Sequence, residues 1–443
     1  MRNSRNSGWR LTGGVFLGVV AIAASSAMVL SLAPVSSPND DESINADQQE
    51  AASGSSWGRA RNVIFIQGDG MGIAHRELIR LATKGQNGEL AMNKMDYTGF
   101  VHTDSADVED AVTDSAAAAT AYSTGVRTYN GAIGVDLDGN PVTTLLERAA
   151  EAGKATGLVT TSQVTDATPA AFGAHVADRS DQSEIARQYI ETTKVDVILG
   201  GGEDFWLPAG DPGAWEDNPP KDPSEQSKGT KGDLIARAEE LDYDYVQNAE
   251  ELADIRAGKV LGLFANEEMF EHHNEGEGDL YEPTVSLKDM STKALQLLSR
   301  DRNGFFLLIE EEGIDEMAHH SNADLTVKSG AALDDTVAMV MQFARRTPGT
   351  LVLVVGDHET GGLAIENIDD ADENGQGEQS EDIVPIAFSD PPISMTVDWT
   401  TNGHTGAATP ITAQGPGADR LGRVLKNTDV HDAVLRAMRL SRR

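Results

Sequence analysis

Carboxylates and imidazoles recur just beyond aliphatic runs of this chain. The run at 63–67 leads into Gly68-Asp69-Gly70-Met71-Gly72, that at 305–309 into Glu310, Asp315 and the His319-His320 pair, and that at 351–355 into Gly356-Asp357-His358. A single Asp-Gly after a strand is more often a turn than a ligand, but three such ends together aim hard ligands at one edge. Asp315 and His319 stand four apart, which on a helical turn puts carboxylate and imidazole on one face, a spacing suited to one divalent ion. Taken alone, that pair is more often a surface hydrogen bond. Asp357 and His358 would point apart along a strand, yet just past its end, with Gly356 and Gly361-Gly362 loosening the chain, both can reach one centre. Histidine with carboxylate suits zinc and all-oxygen sets suit magnesium, and ligands for both are present.

A hydroxyl stands at the start of a helical pattern, in Thr113-Asp114-Ser115 followed by four alanines. Such residues most commonly cap a helix. The chemical alternative is that a hydroxyl at a positive helix end, beside a metal ion, ionises readily and attacks, while the same amides hold an anion such as phosphate. The residues by themselves leave these two readings evenly matched.

These residues need elements to position them. Strands are expected at 63–67, 157–161, 195–199, 305–309, 351–355, 384–388 and 411–413, and helices at 73–81, 183–191, 285–298, 326–343 and 430–438. The alternation predicts an α/β fold with a largely parallel central sheet flanked by helices on both faces. In such sheets the ligand site lies beyond the carboxyl ends of the strands, where the acidic and imidazole residues stand. Polar, Gly- and Pro-rich stretches at 208–233, 272–283 and 367–382 read as surface insertions. The last of these also has the composition of a calcium loop, although a solvated acidic loop is the commoner case.

The 443 residues carry 71 Asp plus Glu against 35 Lys plus Arg, a formal net charge of −36. That field repels nucleic acid and anionic lipid and excludes both as partners. It suits a solvated acidic surface, and a saline habitat would screen the repulsion. With no cysteine, disulfides, thiolate metal sites and cysteine-derived nucleophiles are excluded, so any metal is held by His, Asp, Glu or hydroxyl. Arg2, Arg5 and Arg10 precede an apolar stretch, so residues 1–33 read as a signal peptide or an uncleaved anchor, the one route to a membrane. Residues 34–58 read as a disordered linker and 59–443 as the catalytic domain. Export to the periplasm or beyond follows from either reading of the amino terminus.

Six ordered segments resemble the alkaline phosphatases: 62–72; 113–136, ending in Thr124-Gly125-Val126-Arg127-Thr128-Tyr129-Asn130-Gly131-Ala132-Ile133-Gly134-Val135-Asp136; 166–179; 310–319; 357–362; and His404-Thr405-Gly406. They span nearly the whole chain after the linker. The resemblance implies hydrolysis of phosphate monoesters through a phosphoserine at Ser115, with Arg179 as the phosphate clamp. It implies one zinc on Asp315, His319 and His404, and a second on Asp69, Asp357 and His358 beside the Ser115 oxygen. A magnesium would lie on Asp166, Thr168 and Glu310, bridged by Asp69. Homodimers are common in the family. Within these segments His319 is chosen over His320, and Glu310 over Glu311 and Glu312, from the family spacing to Asp315. Glu316 stands where some bacterial members carry a lysine, so one positive contact near the phosphate is missing. His75, His102, His175, His272, His273 and His431 match no ligand position and read as ordinary surface or core residues. A phosphodiesterase of the same superfamily and a non-catalytic phosphate- or metal-binding exported protein are the competing readings. A sulfatase is disfavoured because Ser115 is followed by alanines.

Overall fold

The computed structural model describes residues 58–215, 226–273, 276, 278–366 and 382–441. The amino-terminal signal and linker assignments, apart from Gly58, and the acidic stretch up to residue 381 lie outside them. Among the described residues no helix is long and apolar enough to cross a membrane.

The strands are β1 (Asn62–Gly68), β2 (Tyr97–His102), β3 (Ala155–Gln163), β4 (Val197–Gly201), β5 (Tyr243–Val246), β6 (Lys259–Leu263), β7 (Phe305–Glu311), β8 (Thr350–Val355), β9 (Glu359–Thr360), β10 (Leu363–Glu366), β11 (Asp382–Pro385), β12 (Ser394–Trp399), β13 (His404–Thr405), β14 (Thr409–Gln414) and β15 (Val424–Lys426). The α-helices are α1 (Ile73–Lys84), α2 (Ser115–Thr124), α3 (Leu145–Glu151), α4 (Ala167–Gly173), α5 (Gln182–Gln188), α6 (Leu234–Glu240), α7 (Ala249–Asp254), α8 (Leu287–Leu298), α9 (Gly313–His319), α10 (Ala323–Arg346) and α11 (Asn427–Met438).

Ten strands form one sheet in the order β15-β2-β14-β8-β1-β7-β3-β4-β6-β5. Only β14 runs against the others, pairing antiparallel with both β8 and β2. The expected α/β architecture is therefore present. Its strands are apolar on both sides because both faces are covered. Val63, Phe65, Phe306, Leu308, Leu351 and Leu353 join one core with α2, α3, α4, α5, α6 and α11. Their neighbours Ile64, Ile66, Leu307, Ile309, Val352 and Val354 join the other, with α1, α7, α8, α9 and α10. This is the period of two in a strand, expressed as two buried layers.

Two expectations shift. The strand expected at 384–388 is β11 at Asp382–Pro385, and it pairs antiparallel with β12 in a separate three-stranded sheet rather than in the central one. Pro385 ends it, having no N–H to extend the ladder, and Phe388 turns at φ 56°. The strand expected at 195–199 begins at Val197, after Lys194 has adopted the left-handed conformation at φ 55°.

The order places β8, β1, β7 and β3 side by side in one direction, so their carboxyl ends meet. Helix α1, which follows the turn after β1, is fastened beneath them by Arg76. Its buried guanidinium donates to Thr412 Oγ1 at 3.3 Å, Val354 O at 3.2 Å and Pro410 O at 3.3 Å. Burial pushes that group down to about 9, with Asp334 pulling the other way, so it remains charged at neutral pH. Replacement of Arg76 by Met would leave these acceptors unpaired, and we expect the loss of about 2–3 kcal/mol of unfolding free energy, read as a lowered urea midpoint. An unchanged midpoint would show that α1 is held by apolar packing alone.

Candidate active site

Ser115 opens α2. Its neighbour Asp114 is the N-cap, accepting from Ala117 N at 2.9 Å, and the helix ends at Gly125 in the left-handed conformation. Every residue of α2 is buried. The alanines allow close packing against α4 and α11, while Tyr122 donates its hydroxyl to Gly356 O at 2.8 Å and Ser123 to Ala171 O at 2.6 Å. The N-terminus of α2 is thereby fixed beside the end of β8.

There the Ser115 hydroxyl lies 3.2 Å from His358 Nε2. The same nitrogen is 3.4 Å from Asp69 Oδ1 and 3.3 Å from Asp357 Oδ2. Both carboxylate oxygens are buried without a hydrogen-bond partner. A tetrahedral zinc with bonds of roughly 2.0–2.1 Å has ligand atoms about 3.3 Å apart, so these spacings fit one ion. Asp69, Asp357 and His358 form one of three groups among the described residues able to hold a cation.

A second convergence lies beside it. Asp315 Oδ2 is 3.1 Å from His319 Nε2, which faces His404 Nε2 at 3.2 Å. His319 Nδ1 lies 2.6 Å from Asn402 O and His404 Nδ1 lies 2.9 Å from Thr113 O. A carbonyl only accepts, so both Nδ1 atoms carry protons. Two Nε2 atoms facing each other cannot both be protonated, and their lone pairs converge as those of metal-bound imidazoles do. The His358 and His404 rings stack with centroids 3.6 Å apart.

The oxygen-rich set is assembled more loosely. Thr168 Oγ1 is 3.5 Å from Asp69 Oδ2 and accepts from Gln67 Nε2 at 2.7 Å. Glu310 accepts from Thr160 at 2.6 Å and is also bonded by Thr168. Both Asp166 oxygens are held by Arg179 Nη2 at 2.9–3.0 Å, while Arg179 Nη1 lies 3.5 Å from Asp114 Oδ2. Asp166, Thr168 and Glu310 thus neighbour one another, while among the described acidic and imidazole side chains Asp69, Asp166 and Glu310 do not close into a three-ligand group.

Strand alternation separates the three consecutive glutamates. Glu310 faces Thr160 and Thr168, whereas Glu311 turns to the opposite side and is bonded by Tyr281 at 2.5 Å and Thr161 at 2.9 Å. Glu312 Oε2 is buried with no hydrogen-bond partner. His319 and His320 part similarly, since His319 faces Asp315 while His320 gathers with His272 and Glu316 in the third group. His272 is therefore placed in a potential ligand group, contrary to its reading as an ordinary histidine. Sequence reasoning also passed over Thr360, which donates to Asp315 and approaches His358 Nδ1 at 3.3 Å. Its place one position beyond Glu359 carried no signal. Gly70 is required by the turn after β1. It sits at φ 63°, and a Cβ there would come within 2.4 Å of Asp315 Oδ1.

Burial raises Asp69 well above the carboxylate range, with Asp357, Asp315 and Glu310 repelling it. Burial and then Asp315 raise Asp357 to about 7, and burial raises Glu310 to about 8 despite bonds from Thr160 and Thr168. Burial lowers His319, but Asp315 more than reverses this and takes it up to about 9. His358 is driven well down by burial and then by His404. A cation-free site must therefore retain protons that unfolded carboxylates release near about pH 4.

The family model described as "Alkaline phosphatase" matches residues 60–380. The chain is 31% identical to the alkaline phosphatase of Escherichia fergusonii, over 92% of both chains. It is 32% identical to streptomycin-6-phosphate phosphatase of Streptomyces griseus, over 95% of this chain and 97% of the other. Among solved structures, a magnesium-bound mutant of the alkaline phosphatase from the Antarctic bacterium TAB5 superposes with a TM-score of 0.68 at 28% identity, covering 87% of this chain and 100% of that one. The ligand groups and these relatives support metal dependence.

The pH consequence is specific. Between about pH 4 and 8 the raised Asp69, Asp357 and Glu310 hold protons in the cation-free folded chain that the unfolded chain releases; they outnumber the lowered His358, which acts the other way below about pH 6.5, so stability falls as pH rises. The raised His319 acts in the same direction, its pairing with Asp315 being lost through about 9. We expect chelator-stripped protein to melt at progressively lower temperature between about pH 5.5 and 8.5, and reloading with zinc and magnesium to flatten that slope. Equal slopes for stripped and reloaded protein would contradict this electrostatic account.

Proposed function

Because the chain belongs to the alkaline phosphatase family and is a phosphomonoester hydrolase, we propose that it works through a phosphoserine at Ser115, with two zinc ions and one magnesium. The observation that carries this reading is the Ser115 hydroxyl 3.2 Å from His358 Nε2, among unpartnered Asp69 and Asp357 oxygens. Asp315, His319 and His404 would hold one zinc, Asp69, Asp357 and His358 the other beside Ser115, and Asp69, Asp166, Thr168 and Glu310 the magnesium. Bound there, the cations supply Lewis acidity that favours the ionised serine, the leaving alkoxide and ionised water.

The chain's own residues do the rest. Ser115 gives up its hydroxyl proton and its oxygen forms a bond to phosphorus as the ester oxygen departs, to leave as the alcohol after gaining a proton. Water then forms a bond to phosphorus, the Ser115 oxygen is released and regains a proton, and inorganic phosphate departs. The start of α2 favours the anion through its helix dipole. Arg179, held by Asp166 and Asp114, would offer its remaining N–H groups to two phosphate oxygens. Residues 59–443 constitute the catalytic domain, and residues 1–33 direct the chain out of the cytosol.

Hydrolysis of p-nitrophenyl phosphate and of its bis-p-nitrophenyl diester at alkaline pH tests the proposal. For Ser115→Ala we expect kcat for the monoester to fall by on the order of 10³-fold or more, and a comparable loss in chelator. Full monoesterase activity in either case overturns the mechanism, and preference for the diester moves the substrate class. For Arg179→Gln, kcat/KM should fall by about 10–100-fold, as loss of a bidentate charged contact implies, while circular dichroism stays unchanged.

A further inference from the structure

Helix α9 and the His320 that caps its end carry two carboxylate–imidazole pairs at the same four-residue spacing. Asp315 and His319 point into the site described above, whereas Glu316 and His320, one position on, point to a separate group completed by His272. We propose that His272, Glu316 and His320 form a further binding site for a zinc-class divalent cation, distinct from the three metal positions assigned to catalysis.

The geometry parallels that of the neighbouring site. One ligand atom from each of the three residues falls within 4.8 Å of the others. His272 Nδ1 is 3.3 Å from Glu316 Oε2, the edge expected of a tetrahedron with bonds of roughly 2.0–2.1 Å. The His272 and His320 rings lie 5.6 Å apart at 38°, close to the 5.0 Å and 43° of the converging His319 and His404 rings. His272 Nδ1 is buried without a hydrogen bond of good geometry. On the far side of the same ring, Nε2 lies 3.9 Å from Glu268 Oε2, and the other Glu268 oxygen is anchored by Gln163 Nε2 at 2.7 Å. Glu268 thus stands behind the ring, beyond hydrogen-bond distance, on the side from which a carboxylate orients a metal-binding histidine.

The charges around the group call for a cation. Among the described residues neither Glu316 nor Glu268 has a lysine or arginine at ion-pair distance, His272 being the partner of both. Glu312 also repels both of them. Two imidazoles with one carboxylate form a donor set of zinc type rather than calcium or magnesium type. Three protein donors leave a fourth position for water, as in open zinc sites.

Zinc content decides the matter. Full-length wild type and a His272→Ala/His320→Ala double variant would be equilibrated with the same excess of zinc chloride, separated by gel filtration and analysed by inductively coupled plasma mass spectrometry. The variant is expected to hold one zinc per chain fewer than wild type, and equal zinc contents overturn the proposal. Both proteins carry the same catalytic cluster, so failure of the catalytic metal assignment would lower both counts together and leave the difference intact. If the double variant does not fold by circular dichroism, His320→Gln and Glu316→Gln take its place under the same criterion. A deficit of one zinc in both supports the site, and wild-type zinc content in either overturns it.

Discussion

The repulsion among buried carboxylates at the ends of three adjacent strands, β8, β1 and β7, is the constraint around which the rest of this molecule is arranged. Asp69, Glu310 and Asp357 are all buried, and Asp69 and Asp357 each leave an oxygen without a hydrogen bond. Isolated charges in such surroundings are costly enough to be neutralised by protons or by cations. At acid pH protons suffice. At the alkaline pH where phosphoserine chemistry is proposed to run, dications are the remaining source of balance, so stability and chemistry would depend on the same ions.

A parallel sheet is a direct way to create that tension. β8, β1, β7 and β3 run together, and every ligand-bearing turn leaves the sheet at one edge. The turns are then held rigidly from outside. Gly70 donates its N–H to Asp357 Oδ1 at 3.1 Å, Thr113 and Asn402 supply the carbonyls that orient His404 and His319, and Tyr122 ties α2 to Gly356. None of these groups is a proposed ligand. They fix which atom each ligand presents, and two imidazole nitrogens 3.2 Å apart would not persist without that restraint.

What could be read from the sequence follows from burial. The central strands are continuous aliphatic runs because both faces are covered, so β1, β7 and β8 were legible within a residue or two. β2, with its polar threonine and central glycine, and the short β5 and β15 lack that signature because they lie at or near the sheet edges. Asp69, Glu310, Asp315, His319, Asp357 and His358 were legible because each stands at a strand end or at helical spacing, whereas Asp166, Thr168 and His404 were named only through the family resemblance. Choosing Glu310 rather than Glu311 or Glu312 rested on the family spacing to Asp315, and the strand period accounts for the opposite directions that Glu310 and Glu311 take. His272 was not legible: it comes from a loop more than forty positions before Glu316 and His320, and only the tertiary fold brings it to them.

The net charge of −36 would appear to oppose an anionic substrate, and distance shows why it need not. At about 0.1 M salt the Debye length is about 10 Å, so most surface carboxylates are screened from a phosphate in the site. Charges within a few ångströms act in a poorly screened environment, where one close cation outweighs many distant anions. Arg179 is such a charge, and the proposed dications would be others. Screening by salt therefore weakens the general repulsion of the acidic surface while leaving the local attraction nearly intact. An acidic exterior is compatible with phosphate chemistry as long as its cations are held deep, at the ends of the strands.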